Sequence, residues 1–317
     1  MAKTVITLVG ISLLENVLTK RQQLRSLGMP SADHVSDLIR RCKSNRLTPE
    51  RAAALNDPLA GETAERFRRA LTGLWESTEP KYTVDGGRRK RMYSPGELAS
   101  LSLFDLGPED KIVLLYSETG EGAFCAAVLE QLLRAGVGVP AGVQVDKRMI
   151  EGLQVEDLRR FTDEGVVNYV QVIDRIVADQ DKDTQVIMNI TGGYKGVAPI
   201  ATIVALELGV EVCYLYEESD ELLYLPPLEV EFGYSMLFTG YQNIMEQITP
   251  ATSPLPTASA DEFWGKVLRQ DRGQLEKHVE TIDGKVRLSP LGVLAWTLHT
   301  LKGKIGGAEP RGSLKDD

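Results

Sequence analysis

Cysteine and histidine are scarce in this chain, three of each among 317 residues. Cys42, Cys125 and Cys213 lie far apart, contain no Cys-x-x-Cys pair and form no cluster with the histidines. A zinc site needs several such ligands at close spacing, so no metal is expected. Cys125 and Cys213 fall in apolar stretches and read as buried free thiols. Long apolar runs are also missing, and none reaches the ~20 residues of a membrane-spanning helix. The opening MAKTVITLVG enters a strand-like run at once, without the longer apolar core and cleavage site of a signal peptide. A cytoplasmic protein with no membrane partner is expected. Basic residues are in deficit, 36 Lys and Arg against 45 Asp and Glu, a formal net charge of −9. That balance argues against broad, non-specific duplex binding. It leaves room for a small anionic ligand in a local positive pocket.

What is present suits a globular chain, with 43% hydrophobic and 26% charged residues. Its length fits one large domain with a small one, or two domains. Apolar runs at Thr4–Val9, Lys111–Tyr116, Gln185–Met188 and Glu211–Tyr216 read as buried strands. Val143–Val145 reads as a short strand, and Leu222–Phe232, with Pro226-Pro227 at its centre, as an edge hairpin. Helical patterns fall at Leu13–Leu27, within residues 31–78, at Ala123–Ala135, Val155–Gly165, Val167–Asp179 and after Gly196. Strands alternating with helices predict an α/β, Rossmann-like, mostly parallel sheet with helices on both faces. The basic run Arg88-Arg89-Lys90-Arg91 reads as a solvated loop in preference to a polyanion-binding arm.

Ligands of such sheets bind beyond the carboxyl ends of the strands. Three predicted strand ends carry small hydroxyl or glycine residues: Gly10-Ile11-Ser12, Ser117-Glu118-Thr119-Gly120, and Thr191-Gly192-Gly193. The last belongs to Asn189-Ile190-Thr191-Gly192-Gly193-Tyr194-Lys195, read as strand, glycine turn and helix. Free amides at a helix start, the Thr191 hydroxyl and the Lys195 cation are what a phosphate needs. The motif is neither a Walker A loop nor GxGxxG, and alone it also fits a plain strand-to-helix turn.

Residues 249–260, TPATSPLPTASA, read as a linker. The division is therefore residues 1–248, linker 249–260, and a small module at 261–317. In the module Asp261–Arg269 reads as a helix and His278–Val286 as a hairpin about Asp283-Gly284. Ser289 caps a helix from Pro290 to Leu301. That order suits a small α+β, winged-helix-like module with a disordered tail after Lys302. Arg272 and His278 have the Arg-x5-His spacing of some ribonucleases, but lack the flanking helical pair and read as chance. His278 and His299 read as surface or interface residues.

Together the segments resemble the CRISPR-associated Rossmann-fold (CARF) proteins of type III systems. The marks are Gly10-Ile11-Ser12-Leu13-Leu14, the run SPGELASL from Ser94, KIVLLYSETGEG, Gly152-Leu153-Gln154, NITGGYK, and the stretch from Tyr216 to Leu228. The resemblance covers residues 1–248. It implies a homodimer that binds a cyclic oligoadenylate across its twofold axis, cyclic tetra-adenylate in preference to the hexa-adenylate, without a cofactor. A ring of one repeated nucleotide suits a twofold pocket. The ligand-binding set it implies is Gly10, Ile11, Ser12, Leu13, Ser117, Glu118, Thr119, Gly120, Gln154, Asn189, Thr191, Gly192, Gly193 and Lys195. No large effector is evident after the linker. A metal-independent ring nuclease is therefore expected, with Ser12 orienting the ribose 2′-hydroxyl or a phosphate oxygen and Lys195 stabilising the phosphorane. The alternative is a ligand-sensing regulator acting through the C-terminal module. DNA binding is disfavoured because Pro290–Leu301 lacks Lys and Arg.

Overall fold

The computed structural model describes residues 1–19, 25–77, 95–154, 156–193, 195–216, 219–227, 233–249 and 257–305. The chain forms two compact units, residues 1–150 with 183–228, and 151–182 with 229–317. This division does not follow the one expected at residue 248, because segments far apart in sequence assemble into the second unit. The basic run at 88–91 and the tail from residue 306 lie outside the described residues.

The first unit is a six-stranded sheet, β1 (Lys3–Leu8), β2 (Lys111–Ser117), β3 (Gln144–Ile150), β4 (Gln185–Asn189), β5 (Glu211–Leu215) and β6 (Leu222–Leu225). Its order is β3-β2-β1-β4-β5-β6, parallel except for β6. The central strands are near-continuous apolar runs, as expected where both faces are covered. Between β1 and β2 come α1 (Ser12–Thr19), α2 (Ala32–Lys43), α3 (Pro49–Ala53), α4 (Pro58–Ser77) and α5 (Gly96–Leu101). Next, α6 (Gly120–Arg134) joins β2 to β3. Val5, Ile112, Leu114 and Ile187 from the strands pack with Leu13, Leu38, Phe67, Leu98 and Phe124 from these helices in one core. The helices α7 (Leu158–Arg160) and α8 (Val166–Ala178) belong to the second unit, and α9 (Ala198–Glu207) joins β4 to β5. Winding runs one way from β1 to β3 and the other way from β4 to β5, so right-handed crossovers place helices on both faces.

Two local readings are corrected. β3 is seven residues long rather than a short strand. Its charges belong to an edge: Lys147 pairs with Glu130 at 2.5 Å, and Asp146 with Lys111 at 2.7 Å. The first arm of the expected hairpin at Leu222–Phe232 is β6, antiparallel to β5 and followed by Pro226-Pro227. Residues 228–232 lie outside the described set. The helix after β2 starts at Gly120, three positions early, because the Thr119 hydroxyl accepts from the Gly122 amide at 3.0 Å.

In the second unit, a π-helical turn at Phe161–Gly165 links α7 to α8. A Cβ on Gly165 would stand 2.5 Å from the Gly152 carbonyl oxygen, so the chain turns back on itself only because glycine is there. After α10 (Tyr234–Gly240) and α11 (Gln242–Met245) comes a three-stranded antiparallel sheet in the order β7-β9-β8. It comprises β7 (Ala258–Ser259), β8 (Val279–Ile282) and β9 (Lys285–Leu288). The end of the expected linker is thus strand. Between β7 and β8 lie α12 (Ala260–Gly265) and α13 (Arg269–Leu275). The hairpin turns at Asp283 (φ +50°) and Gly284 (φ +73°), the paired left-handed residues of a type I′ turn. Ser289 accepts from the Gly292 amide at 3.1 Å and caps α14 (Pro290–Ile305).

His278 and His299 are not plain surface residues. Both pack edge-on to Phe238, with ring centroids 5.1 and 5.7 Å away, and burial lowers the pKa of each. Arg272 donates to the Trp264 carbonyl at 2.6 Å.

Candidate functional site

The strand order reverses between β1 and β4, and a crevice opens beyond the carboxyl ends of strands at such a reversal. Three neighbouring strands, β2, β1 and β4, deliver their following loops to this edge. They are the strands whose ends carried the glycine and hydroxyl motifs.

The β1 and β4 loops meet at glycines. A Cβ on Gly10 would stand 2.8 Å from the Gly193 nitrogen. One on Gly192 would stand 2.4 Å from Glu97 Oε1 and 2.5 Å from the Leu8 oxygen, while Gly193 has φ +91°. Close approach and left-handed backbone therefore require this pair. It does not open the helix directly. Lys195, Gly196 and Val197 form a turn first, and α9 begins at Ala198. The expected cluster of helix amides at Gly192-Gly193 is corrected accordingly. Lys195 is exposed on that turn, and Tyr194 lies outside the described residues.

Glu97, in the first turn of α5, lies beneath both loops and is 0% exposed. Its Oε1 accepts from the Gly10 amide at 2.7 Å, and its Oε2 accepts from the Ser12 hydroxyl at 3.1 Å. Ser12 is half-buried at the start of α1, and the Ile11 carbonyl accepts from the amides of Leu14 and Glu15. Leu13 is 0% exposed, so its side chain belongs to the core and only its backbone can face a ligand.

Asn189 is also fully buried. Its Nδ2 donates to Ser100 Oγ at 2.8 Å, and its Oδ1 accepts from the Thr191 amide at 3.1 Å. The Thr191 hydroxyl accepts from the Leu215 amide at 2.9 Å and ties the loop to β5. Both residues shape the loop from below. On the β2 side, Ser117 and Thr119 share a hydrogen bond at 2.9 Å, and Gly120 is buried against the Leu47 carbonyl and Cys42. Glu118 is half-buried on the same loop. Gln154 falls in the second unit, where its amide donates to the Gly152 carbonyl at 2.8 Å.

The spacing of the sequence did not reveal Glu97 and Ser100 as site-building residues, although both stand in the SPGELASL run. The available signal was that Glu97 and Ser100 stand three apart and so on one face of α5, and the structure buries every residue from Glu97 to Leu101. No nucleophilic thiol is offered. Burial and then the Glu97 charge hold the Cys125 thiol well above its usual range, and burial followed by Glu121 pushes Cys42 up to about 12. Among the described residues no three His, Cys, Asp or Glu side chains gather as a metal site would require. No helix among them is long and apolar enough to cross a membrane.

Residues 99–228 match the model of a family of CRISPR-associated proteins (Cas_APE2256), and over that stretch the chain is similar to that family. The match starts within α5, takes in β2 to β6 with the Thr119 and Gly192-Gly193 loops, and ends where the first unit ends. It supports a role in CRISPR systems and agrees with the CARF resemblance drawn from the motifs. None of the curated proteins matches the chain.

Proposed function

We propose that the crevice binds a cyclic oligoadenylate, cyclic tetra-adenylate first, in a homodimer and cleaves it without metal. The observation that carries this reading is the meeting of the Ser12 loop and the Gly192-Gly193 loop at the reversal of the sheet, with Lys195 exposed just beyond. In the reaction the ribose 2′-oxygen attacks the adjacent phosphorus and the bond from phosphorus to the 5′-oxygen breaks. The 2′-hydroxyl loses its proton and the departing 5′-oxygen gains one. The products are linear, with a 2′,3′-cyclic phosphate and a 5′-hydroxyl. Positioning of the 2′-oxygen and neutralisation of phosphorane charge supply the acceleration, Ser12 serving the first and Lys195 the second. Ending the life of a signalling ring would switch a type III response off.

Purified protein is incubated with cyclic tetra- and hexa-adenylate in EDTA, and the products are separated. Cyclic-phosphate-ended fragments are expected. They should vanish in Lys195→Ala, whose exposed site leaves stability within about 0.5 kcal/mol of the parent. Tight binding with the ring intact after long incubation would show a sensor instead. Binding of neither ring at micromolar concentration would end the reading.

One observation favours a second reading, a ligand-controlled regulator. In the C-terminal sheet β7 pairs with β9, and two helices stand between β7 and β8. In this winged-helix order the reading helix is α13, not Pro290–Ile305. Its exposed Arg269, Gln270 and Gln274 are of the types that hydrogen-bond base edges. A gel shift on the upstream DNA that depends on cyclic tetra-adenylate and is lost in Arg269→Ala would favour it.

A further inference from the structure

Glu97 is an odd component for an anion site. It is a fully buried carboxylate, it makes no ion pair among the described residues, and it sits directly beneath the loops proposed to meet phosphates. Its charge is placed where helix amides favour it, in the first turn of α5 and against Ser12, the first residue of α1. It also holds the β1 loop, through the Gly10 amide. A purely structural role needs no more than that second contact.

The contact with Ser12 has a chemical consequence. A serine hydroxyl has one proton to donate and lone pairs to accept with. Ser12 gives its proton to Glu97 Oε2 at 3.1 Å, so only lone pairs remain on its half-exposed side. A phosphate diester oxygen has no proton to offer them and is repelled by the carboxylate behind. A ligand hydroxyl can donate there.

We infer that Glu97 is a positioning residue that sets Ser12 as an acceptor for a ribose 2′-hydroxyl, and that the phosphates lie out toward the exposed Lys195. This rests on the proposed ring-binding function and narrows it. Of the two roles expected for Ser12, orienting a phosphate oxygen falls away. Ser12 and Glu97 together become the determinant that separates ribose from deoxyribose in this crevice.

The test is a stopped-flow titration, read ahead of any cleavage, of full-length protein with cyclic tetra-adenylate and with its all-2′-deoxy analogue. With one ordinary hydrogen bond of about 1 kcal/mol from the Ser12 of each of two protomers, the parent should prefer the ribose ring by about thirtyfold. Ser12→Ala should remove the preference while leaving affinity for the deoxy ring unchanged. Glu97→Gln, whose amide can donate to Ser12 and turn its proton outward, should also remove it, and the double variant should lose nothing further. Equal loss of both rings in Glu97→Gln would mark a merely structural residue and overturn the inference. So would an unchanged preference, in either case with ring binding intact. Failure of the parent to bind either ring would instead bring down the ring-binding reading, and this inference with it. Should Glu97→Gln not fold, Glu97→Asp carries the same comparison, since it keeps the charge but withdraws the oxygens by one methylene.

Discussion

Alanine at Gly10 would press the two loops of the crevice apart, and the size of the effect follows from the contacts. The added Cβ would stand 2.8 Å from the Gly193 nitrogen, 3.2 Å from the Gly193 Cα and 3.3 Å from Glu97 Oε1. Comfortable separations for such atoms begin near about 3.5 Å. The closest neighbours are backbone, and they have little room to yield. Gly193 is itself backed by Leu8, and Gly192 is wedged between Glu97 and the Leu8 carbonyl. Overpacking of this kind costs about 1–3 kcal/mol. For a unit of this size that is a fall in Tm of about 2–12 °C. Gly73 provides the opposite sign. It lies inside α4, and its Cβ would meet only Leu27 Cδ2 at 4.0 Å. Gly73→Ala should therefore stabilise by about 0.5–1 kcal/mol through helix propensity. Thermal and urea unfolding of the two variants, followed by circular dichroism, makes the comparison. A Gly10→Ala protein as stable as its parent, beside a normal Gly73→Ala, would refute the contact between the loops.

Two further outcomes follow from buried groups. Asp57 caps α4 through the Leu59 and Ala60 amides and pairs with Arg41. Burial alone would raise its carboxyl, but the Ala60 amide and Arg41 outweigh it and the net shift is downward. Its contribution is thus full above the ordinary carboxylate pKa of about 4 and is lost as pH falls through the lower folded value. The stability gap between parent and Asp57→Asn should be wide near neutrality and shrink in acid, and an equal gap at both would refute the linkage. The thiols of Cys42, Cys125 and Cys213 are all buried and pushed upward by burial. Iodoacetamide at neutral pH should leave all three unmodified until the protein is unfolded, as read by mass spectrometry, and rapid native labelling would contradict their burial.

How far the sequence could be read depended on whether a residue's partners were local. The strands VITL, KIVLLY and QVIM announced themselves because parallel strands covered on both faces are apolar without interruption. β3 shrank to a fragment in that reading because its edge position admits Asp146, Lys147 and Arg148, and charge hides a strand. The type I′ turn at Asp283-Gly284 and the Ser289 cap were legible because both are closed within a few residues. The second unit was not, since residues 151–182 join 229–317 across the whole of β4 and β5. Glu97 illustrates the same limit at the site. Its partners, Gly10 and Ser12, lie more than eighty positions away, and nothing local in SPGELASL shows that α5 will sit beneath β1 and β4.

The same long-range packing changes what the glycine turn means. Gly192 and Gly193 read as a phosphate cradle when considered alone, yet each is required by something beneath it, Glu97 and Leu8 for the first and Leu8 for the second. The loop is therefore held low against β1, and the cation of Lys195 stands two residues past the point of contact, in solvent. A carboxylate under both loops and an ammonium two residues beyond their contact give this edge of the sheet a direction. An anion is drawn toward Lys195 and a neutral hydroxyl donor is left to Ser12. A nucleotide carries both groups, with its ribose hydroxyl next to its phosphate. On the reading proposed above, the edge would therefore select the orientation of the ligand before any chemistry begins.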